Sequence, residues 1–291
     1  MLKFLIRIFL VLILAIVFQI IITLYLAKNI DKGVNTYIKN SCFCEEKLVR
    51  TKFILGNSHV ETGLNDTILG SNYCNLGKNA EPIFYTVVKA RKIINLFKVD
   101  TMYIEYSNFS LIQEDQVISN ERCFQNYQNF FKYMNYDEHL LIWKFNFMKA
   151  LKTFYSLRNE NFMKTGLIGG YAPQVGTPKK VDKTCQKKNY KHNALFVYGP
   201  LIDLIKDNPR VVFILFRTPI KKSYLFYEDD YMKMVKSFTK QGNVKFYDFK
   251  DSICDENYFY DNNHLNYNGS VKFTNMFIRQ MSLGVINYFH K

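Results

Sequence analysis

Two hydrophobic patterns divide the chain. From Ile8 to Ala27 no residue is charged and Gln19 is the main polar interruption. This is about the twenty residues that a membrane-spanning helix needs. Residues 28–50 are polar and mixed, and read as a stalk. From residue 51 onward, short apolar runs alternate with helical stripes. Phe53–Leu55 is apolar without alternation, as in a strand buried on both faces. Tyr73–Leu76 predicts a second strand. Val87, Ala90, Ile94 and Phe97 then fall at i, i+3, i+7 and i+10, one face of a helix. Thr101–Ile104 predicts the next strand, ending at Glu105-Tyr-Ser-Asn108.

The rhythm breaks over residues 112–165. There Trp143, Phe147, Ala150 and Phe154 keep helical spacing and predict an inserted, aromatic-rich helical segment. Residues 166–192 carry the densest loop signals: Gly166, Gly169-Gly170, Pro173, Gly176 and Pro178. A long loop inside a compact domain is often functional, so this one is read as bordering a site, with a disordered segment as the equal alternative. The strand–helix pattern resumes with a helix over 193–206, interrupted by Gly199-Pro200. Val211–Phe216 is the clearest buried strand in the chain. A helix over 221–240, a strand at Val244–Asp248 and a closing helix marked by Phe273, Met276, Phe277 and Met281 complete the order. Strands alternating with helices predict an α/β domain with a parallel sheet. The domain plan is therefore an anchor at 1–28, a stalk at 29–50 and an α/β domain at 51–291 with a helical insertion over about 112–165.

Charge sharpens the picture. Lys3, Arg7 and the amino terminus precede the apolar stretch, while Lys28 and Lys32 beyond it are partly offset by Asp31. The positive-inside rule then predicts the amino terminus in the cytoplasm and the domain on the extracytoplasmic side of the cell membrane. The stretch is read as an uncleaved single-pass anchor, with a cleaved signal peptide, which would also export the domain, as the rival. No small-x-small cleavage signal follows the stretch. The net charge of +14 favours anionic partners such as acidic polysaccharide or lipid headgroups. The basic residues are scattered and build no nucleic-acid-binding module. The six cysteines form no CxxC, and no histidine stands at zinc-ligand spacing, so no metal or other cofactor is implied. In an extracytoplasmic domain, one to three disulfides are expected.

Candidate chemistry lies at the two ends of the α/β pattern. Phe53-Ile-Leu-Gly-Asn-Ser58-His places a serine in a small-residue turn at the carboxyl end of a strand, where open α/β sheets bind ligands. A serine hydroxyl becomes a nucleophile when a histidine takes its proton and a third group orients that histidine. Asp261-Asn-Asn-His264 supplies both. His59 is read as structural, pointing away from Ser58.

These blocks resemble those of the GDSL/SGNH hydrolase superfamily. The first block, Gly-Asp-Ser, corresponds to Gly56-Asn57-Ser58. The last, Asp-x-x-His followed by Leu and Gly, corresponds to Asp261, His264, Leu265 and Gly269. The third, Gly-x-Asn-Asp, retains only Asn108, just after a strand. The glycine of the second block aligns with Ala80, with Gly77 as the alternative donor. The resemblance covers about residues 51–290 and implies a flavodoxin-like three-layer α/β/α sandwich. It further implies Ser58 as nucleophile, His264 as general base and acid, and Asp261 as its orienting carboxylate. The oxyanion hole would comprise the backbone N–H groups of Ser58 and Ala80 and the Asn108 side chain. Asn57 replaces the family's aspartate, whose role is local hydrogen bonding.

Read with the anchor and the basic charge, the resemblance implies a membrane-anchored serine esterase that removes acyl groups, acetyl foremost, from a cell-surface glycan. Two alternatives follow from the same residues. One is an O-acyltransferase of envelope polysaccharide working with a membrane acyl-donor partner. The other is a non-catalytic fold relative that binds or scaffolds glycan, to which the reduced third block points.

Overall fold

The computed structural model describes residues 1–42, 50–107, 130–143, 169–174, 194–221 and 228–282. Five strands are present among them: β1 (Lys52–Leu55), β2 (Tyr73–Asn75), β3 (Thr101–Glu105), β4 (Val212–Arg217) and β5 (Val244–Asp248). All pair in parallel, in the order β2-β1-β3-β4-β5. This is the flavodoxin-like order, in which the chain runs outward from β1 in one direction and then in the other. The helices are α1 (Leu2–Cys42), α2 (Ser58–Gly63), α3 (Asp66–Leu69), α4 (Ile83–Leu96), α5 (Ala194–Asp207), α6 (Glu228–Thr239) and α7 (Tyr267–Ser282).

Side-chain alternation along the strands builds two cores, one on each face of the sheet. Phe53, Leu55, Met102, Ile104, Phe213 and Leu215 point to one face, under α4, α5 and α6. Ile54, Tyr103, Ile214 and Phe216 point to the other, where they meet Phe273 and Phe277 of α7. The central strands are therefore apolar on both faces, which is why they read as continuous hydrophobic runs. Layers of helix, sheet and helix result, as expected.

Helix α1 departs from the expected plan. Its backbone stays helical through the segment read as a stalk, as far as Cys42. Val34 and Ile38 are fully buried in the core on the α4 side. Asp31 meets buried Lys92 of α4 at 2.7 Å and Lys132 at 3.3 Å. Burial alone would raise the Asp31 carboxyl, but the two lysines outweigh it and hold it below the usual carboxylate range. Polar composition concealed a docked face: Asp31, Val34 and Ile38 stand at i, i+3 and i+7.

Several side chains between residues 16 and 30 lie outside the described set. Among the described residues no helix is long and apolar enough to cross a membrane. Of the predicted insertion, residues 130–143 are described, with a short 3-10 turn at Phe131–Tyr133 and a helix over 136–143; the rest, with Phe147, Ala150 and Phe154, lies outside the described residues. Pro200 sits inside α5 without ending it. Cys74 of β2 is disulfide-bonded, to a partner whose side chain is outside the described set.

Candidate active site

The site grows from the end of β1. Gly56 has φ +155°, and a Cβ there would come within 2.6 Å of both Glu105 and Val60. Only glycine lets the chain leave the sheet this sharply. Asn57 caps α2, its side chain accepting the His59 backbone N–H at 2.9 Å. This is the local role expected for it. Ser58 is thereby fixed as the first residue of a helix at the carboxyl end of a central strand.

The second half of the site is a loop between β5 and α7. Phe259 and Leu265 form an isolated antiparallel bridge, and Tyr260 N–H donates to the His264 carbonyl at 2.8 Å. Inside this clasp, the Asp261 carboxylate accepts the backbone N–H groups of Asn263 (2.9 Å) and His264 (2.8 Å). The same carboxylate faces His264 Nδ1 at 2.9–3.0 Å. Burial pushes the Asp261 carboxyl up, but the bonds from His264 and the backbone outweigh it and bring it down to about 2. Gly269 allows α7 to close on the loop, since a Cβ there would lie 2.1 Å from the Tyr258 carbonyl oxygen.

The two halves meet. Ser58 Oγ lies 2.8 Å from His264 Nε2, across 206 residues of sequence. With Nδ1 bound to a carboxylate, the Nδ1–H tautomer of His264 is favoured, which leaves Nε2 free to accept the serine proton. The three residues picked from the sequence thus form one continuous hydrogen-bonded line: hydroxyl, imidazole, carboxylate.

Ala80 belongs to the β2–α4 loop. This loop is tied to the Gly56–Ser58 turn by Lys78 N–H donating to the Gly56 carbonyl at 2.9 Å. Ala80 has φ +55°, unusual for a residue with a Cβ. Asn75 holds the same region together, its amide donating to the Leu64 carbonyl at 2.8 Å and its oxygen accepting Gly77 N–H at 2.9 Å. Beneath the loop, Lys89 of α4 is fully buried against Glu81 at 2.8 Å and donates to the Leu76 carbonyl at 2.7 Å. Asn108 lies outside the described residues.

Residues 169–174 lie against this assembly, as the loop signals suggested. Gly170 N–H donates to the Gly77 carbonyl at 2.8 Å and Ala172 N–H to the Glu61 carbonyl at 2.9 Å. The Tyr171 hydroxyl meets Ser270 Oγ of α7 at 2.8 Å.

One expectation is overturned. His59 does not point away from the site. Its ring stacks on that of His264, with centroids 5.0 Å apart and planes 20° apart. The available sequence signal was its place one residue after the serine on a capped helix, but which way the ring turns depends on the distant His264 loop.

A family model that carries no description matches residues 185–284, less than half of the chain. No curated protein matches. Among solved structures, a candidate acylhydrolase from Bacteroides fragilis is 12% identical, with 85% of this chain and 94% of that one covered and a TM-score of 0.44. A GDSL-like lipase from Bacteroides thetaiotaomicron is 10% identical, with 86% and 97% covered and a TM-score of 0.42. A protein described as a candidate platelet activating factor from Streptococcus pneumoniae is 11% identical, with 91% and 99% covered and a TM-score of 0.40. Similarity at this level carries no inference about the chemistry of this chain.

Proposed function

We propose that this protein is a serine esterase of the SGNH type, anchored in the cell membrane by residues 8–27 and acting on acyl esters of an extracytoplasmic glycan. The observation that carries the reading is the line from Ser58 through His264 to Asp261, closed at hydrogen-bond distance between opposite ends of the chain. A chance Ser–His contact on a surface would not also have its carboxylate held by two backbone N–H groups of the same loop.

In this reading Ser58 Oγ attacks the ester carbonyl as His264 Nε2 takes its proton. A tetrahedral oxyanion forms, stabilised by the backbone N–H groups of Ser58 and Ala80 with the Asn108 amide. His264 returns the proton to the departing sugar oxygen, leaving an acyl-Ser58 ester. Water, deprotonated by His264, then attacks that ester and releases the acid. Asp261 stays ionised throughout and stabilises the imidazolium. A sugar hydroxyl in place of water would make the same acyl-enzyme a transferase.

The membrane and glycan parts rest on other supports. Large apolar side chains from Leu2 to Phe18 are exposed along α1. The disulfide at Cys74 suits an oxidising compartment, and the net charge of +14 suits an acidic polymer.

The test is fluorophosphonate labelling and p-nitrophenyl acetate turnover by the full chain in detergent, beside Ser58→Ala. Labelling that vanishes in the variant establishes the acyl-enzyme, and product partition between water and added sugar acceptors then separates hydrolase from transferase. A folded wild type that neither labels nor turns over an acetyl ester would overturn the reading.

A further inference from the structure

The imidazole of His264 is held at both ends by hydrogen bonds in its own plane, to Ser58 and to Asp261. Two such bonds fix the line through the ring but leave it free to rock about that line. Something must bear on the face of the ring to stop this, and His59 does. Its side chain is buried, and its ring lies nearly parallel to that of His264 at 5.0 Å. The His59 ring N–H also donates to the backbone carbonyl of Asn263, in the loop that carries Asp261 and His264. His59 thus sits on the helix of the nucleophile and grips the loop of the acid–base pair.

We propose that His59 is a positioning residue that locks His264 in its working orientation and couples the Asp261–His264 loop to the Ser58 helix. The inference rests on the reading of Ser58, His264 and Asp261 as the reactive group. A neutral ring suits this task. Burial, reinforced by the nearby charge of His264, lowers the His59 imidazole to about 3, while Asp261 opposes this. When His264 takes the serine proton, it therefore faces an uncharged aromatic surface, which tolerates a cation. A second imidazolium there would repel it.

Three variants of the full chain in detergent divide the two parts of the role. His59→Phe keeps a flat ring under His264 but loses the bond to Asn263. His59→Gln keeps a donor but loses the ring, and His59→Ala loses both. Phe277→Leu, in the core of α7, where its ring meets Tyr103, Phe216, Phe249 and Phe273 rather than His59 or His264, serves as a control for general loss of packing.

The readouts are the second-order rate of fluorophosphonate labelling across pH, the thermal midpoint, and the low-field proton resonance of the His264 Nδ1–H bound to Asp261. We expect His59→Ala to label about 10–100-fold more slowly, with a shifted pH midpoint and loss of the low-field resonance to exchange. His59→Phe and His59→Gln should lose less than His59→Ala. Phe277→Leu should lower the thermal midpoint while keeping the pH midpoint and the resonance. Wild-type labelling rates and pH profiles in all three His59 variants would overturn the proposal. So would losses that follow the thermal midpoint in the same proportion as in Phe277→Leu. If the wild type shows the resonance but does not label, the esterase reading falls. The positioning role then stands or falls on whether the resonance survives in the His59 variants.

Discussion

At the scale of single residues, the site is a set of groups whose ionisation is set by their neighbours. Asp261 is held down to about 2 against the opposing effect of its burial. A carboxylate whose folded value lies below its unfolded one stabilises the fold fully above the unfolded value, and that contribution is lost as pH falls toward the folded one. The contribution of Asp261 is about 2 kcal/mol, lost between about pH 4 and pH 2. His59 loses stability over a higher window. Its ring is lowered to about 3, so the unfolded chain binds the extra proton first, and stability falls as pH drops from about 6.5 toward 3. Acid titration of the thermal midpoint should therefore slope in both windows, and His59→Phe should flatten the upper one. Asp261→Asn should cut turnover about 10³–10⁴-fold, because it favours the wrong tautomer of His264; this is read as kcat/KM on p-nitrophenyl acetate. Ser58, Asp261 and His264, the three residues of the hydrogen-bonded line, were legible in the sequence because each stands in a short motif whose spacing reflects local geometry. Asp261 and His264 are three residues apart because the carboxylate must cap its own turn and still reach the ring. The part played by His59 was not legible, since its partner comes from a loop at the far end of the chain.

At the scale of elements, α4 links the site to the rest of the molecule through two buried lysines. Lys89 faces inward to Glu81, next to Ala80, and Lys92 reaches Asp31 of α1. Burial pushes Lys89 down and Glu81 up, and each is opposed by the charge of the other. Breaking a buried pair on one side leaves a charge without its partner, which costs roughly 3–5 kcal/mol. Lys89→Met should therefore unfold at lower denaturant by that order. The double variant Lys89→Met/Glu81→Gln should recover most of the loss. Because Lys89 also holds the Leu76 carbonyl at 2.7 Å, both variants should slow fluorophosphonate labelling even where stability returns, as the loop carrying Ala80 loses a support. Strands and helices were read well wherever a buried face imposed a period. β5 falls where its pattern predicted, and β1 begins one residue earlier. The lysines of α4 escaped notice because a buried charge looks like a surface charge until its partner is known.

At the scale of the whole molecule, the question is how the apolar amino-terminal stretch is joined to the α/β domain. A flexible stalk would let the site range over many orientations above the membrane. A continuous helix, with Asp31, Val34 and Ile38 seated on the domain, would instead fix the site relative to the anchor proposed for residues 8–27. Composition suggested the stalk because residues 28–50 mix Lys, Asn, Asp and Glu. Three inward positions in eight residues were enough to dock the helix, and composition averages them away. The two arrangements predict different effects of trimming. A chain lacking residues 1–27 removes only the apolar stretch and should keep its thermal midpoint within a few degrees. A chain lacking residues 1–50 also loses the burial of Val34 and Ile38, about 1.5–3 kcal/mol each. In addition it loses the ion pair between Asp31 and Lys92. That chain should lose roughly 5 kcal/mol or more, enough to consume much of the stability of an ordinary domain. Thermal unfolding of the two trimmed chains side by side measures the difference. Equal midpoints would mean that the helix is a tether; a wide gap would mean that the amino-terminal helix is part of the fold that holds the site.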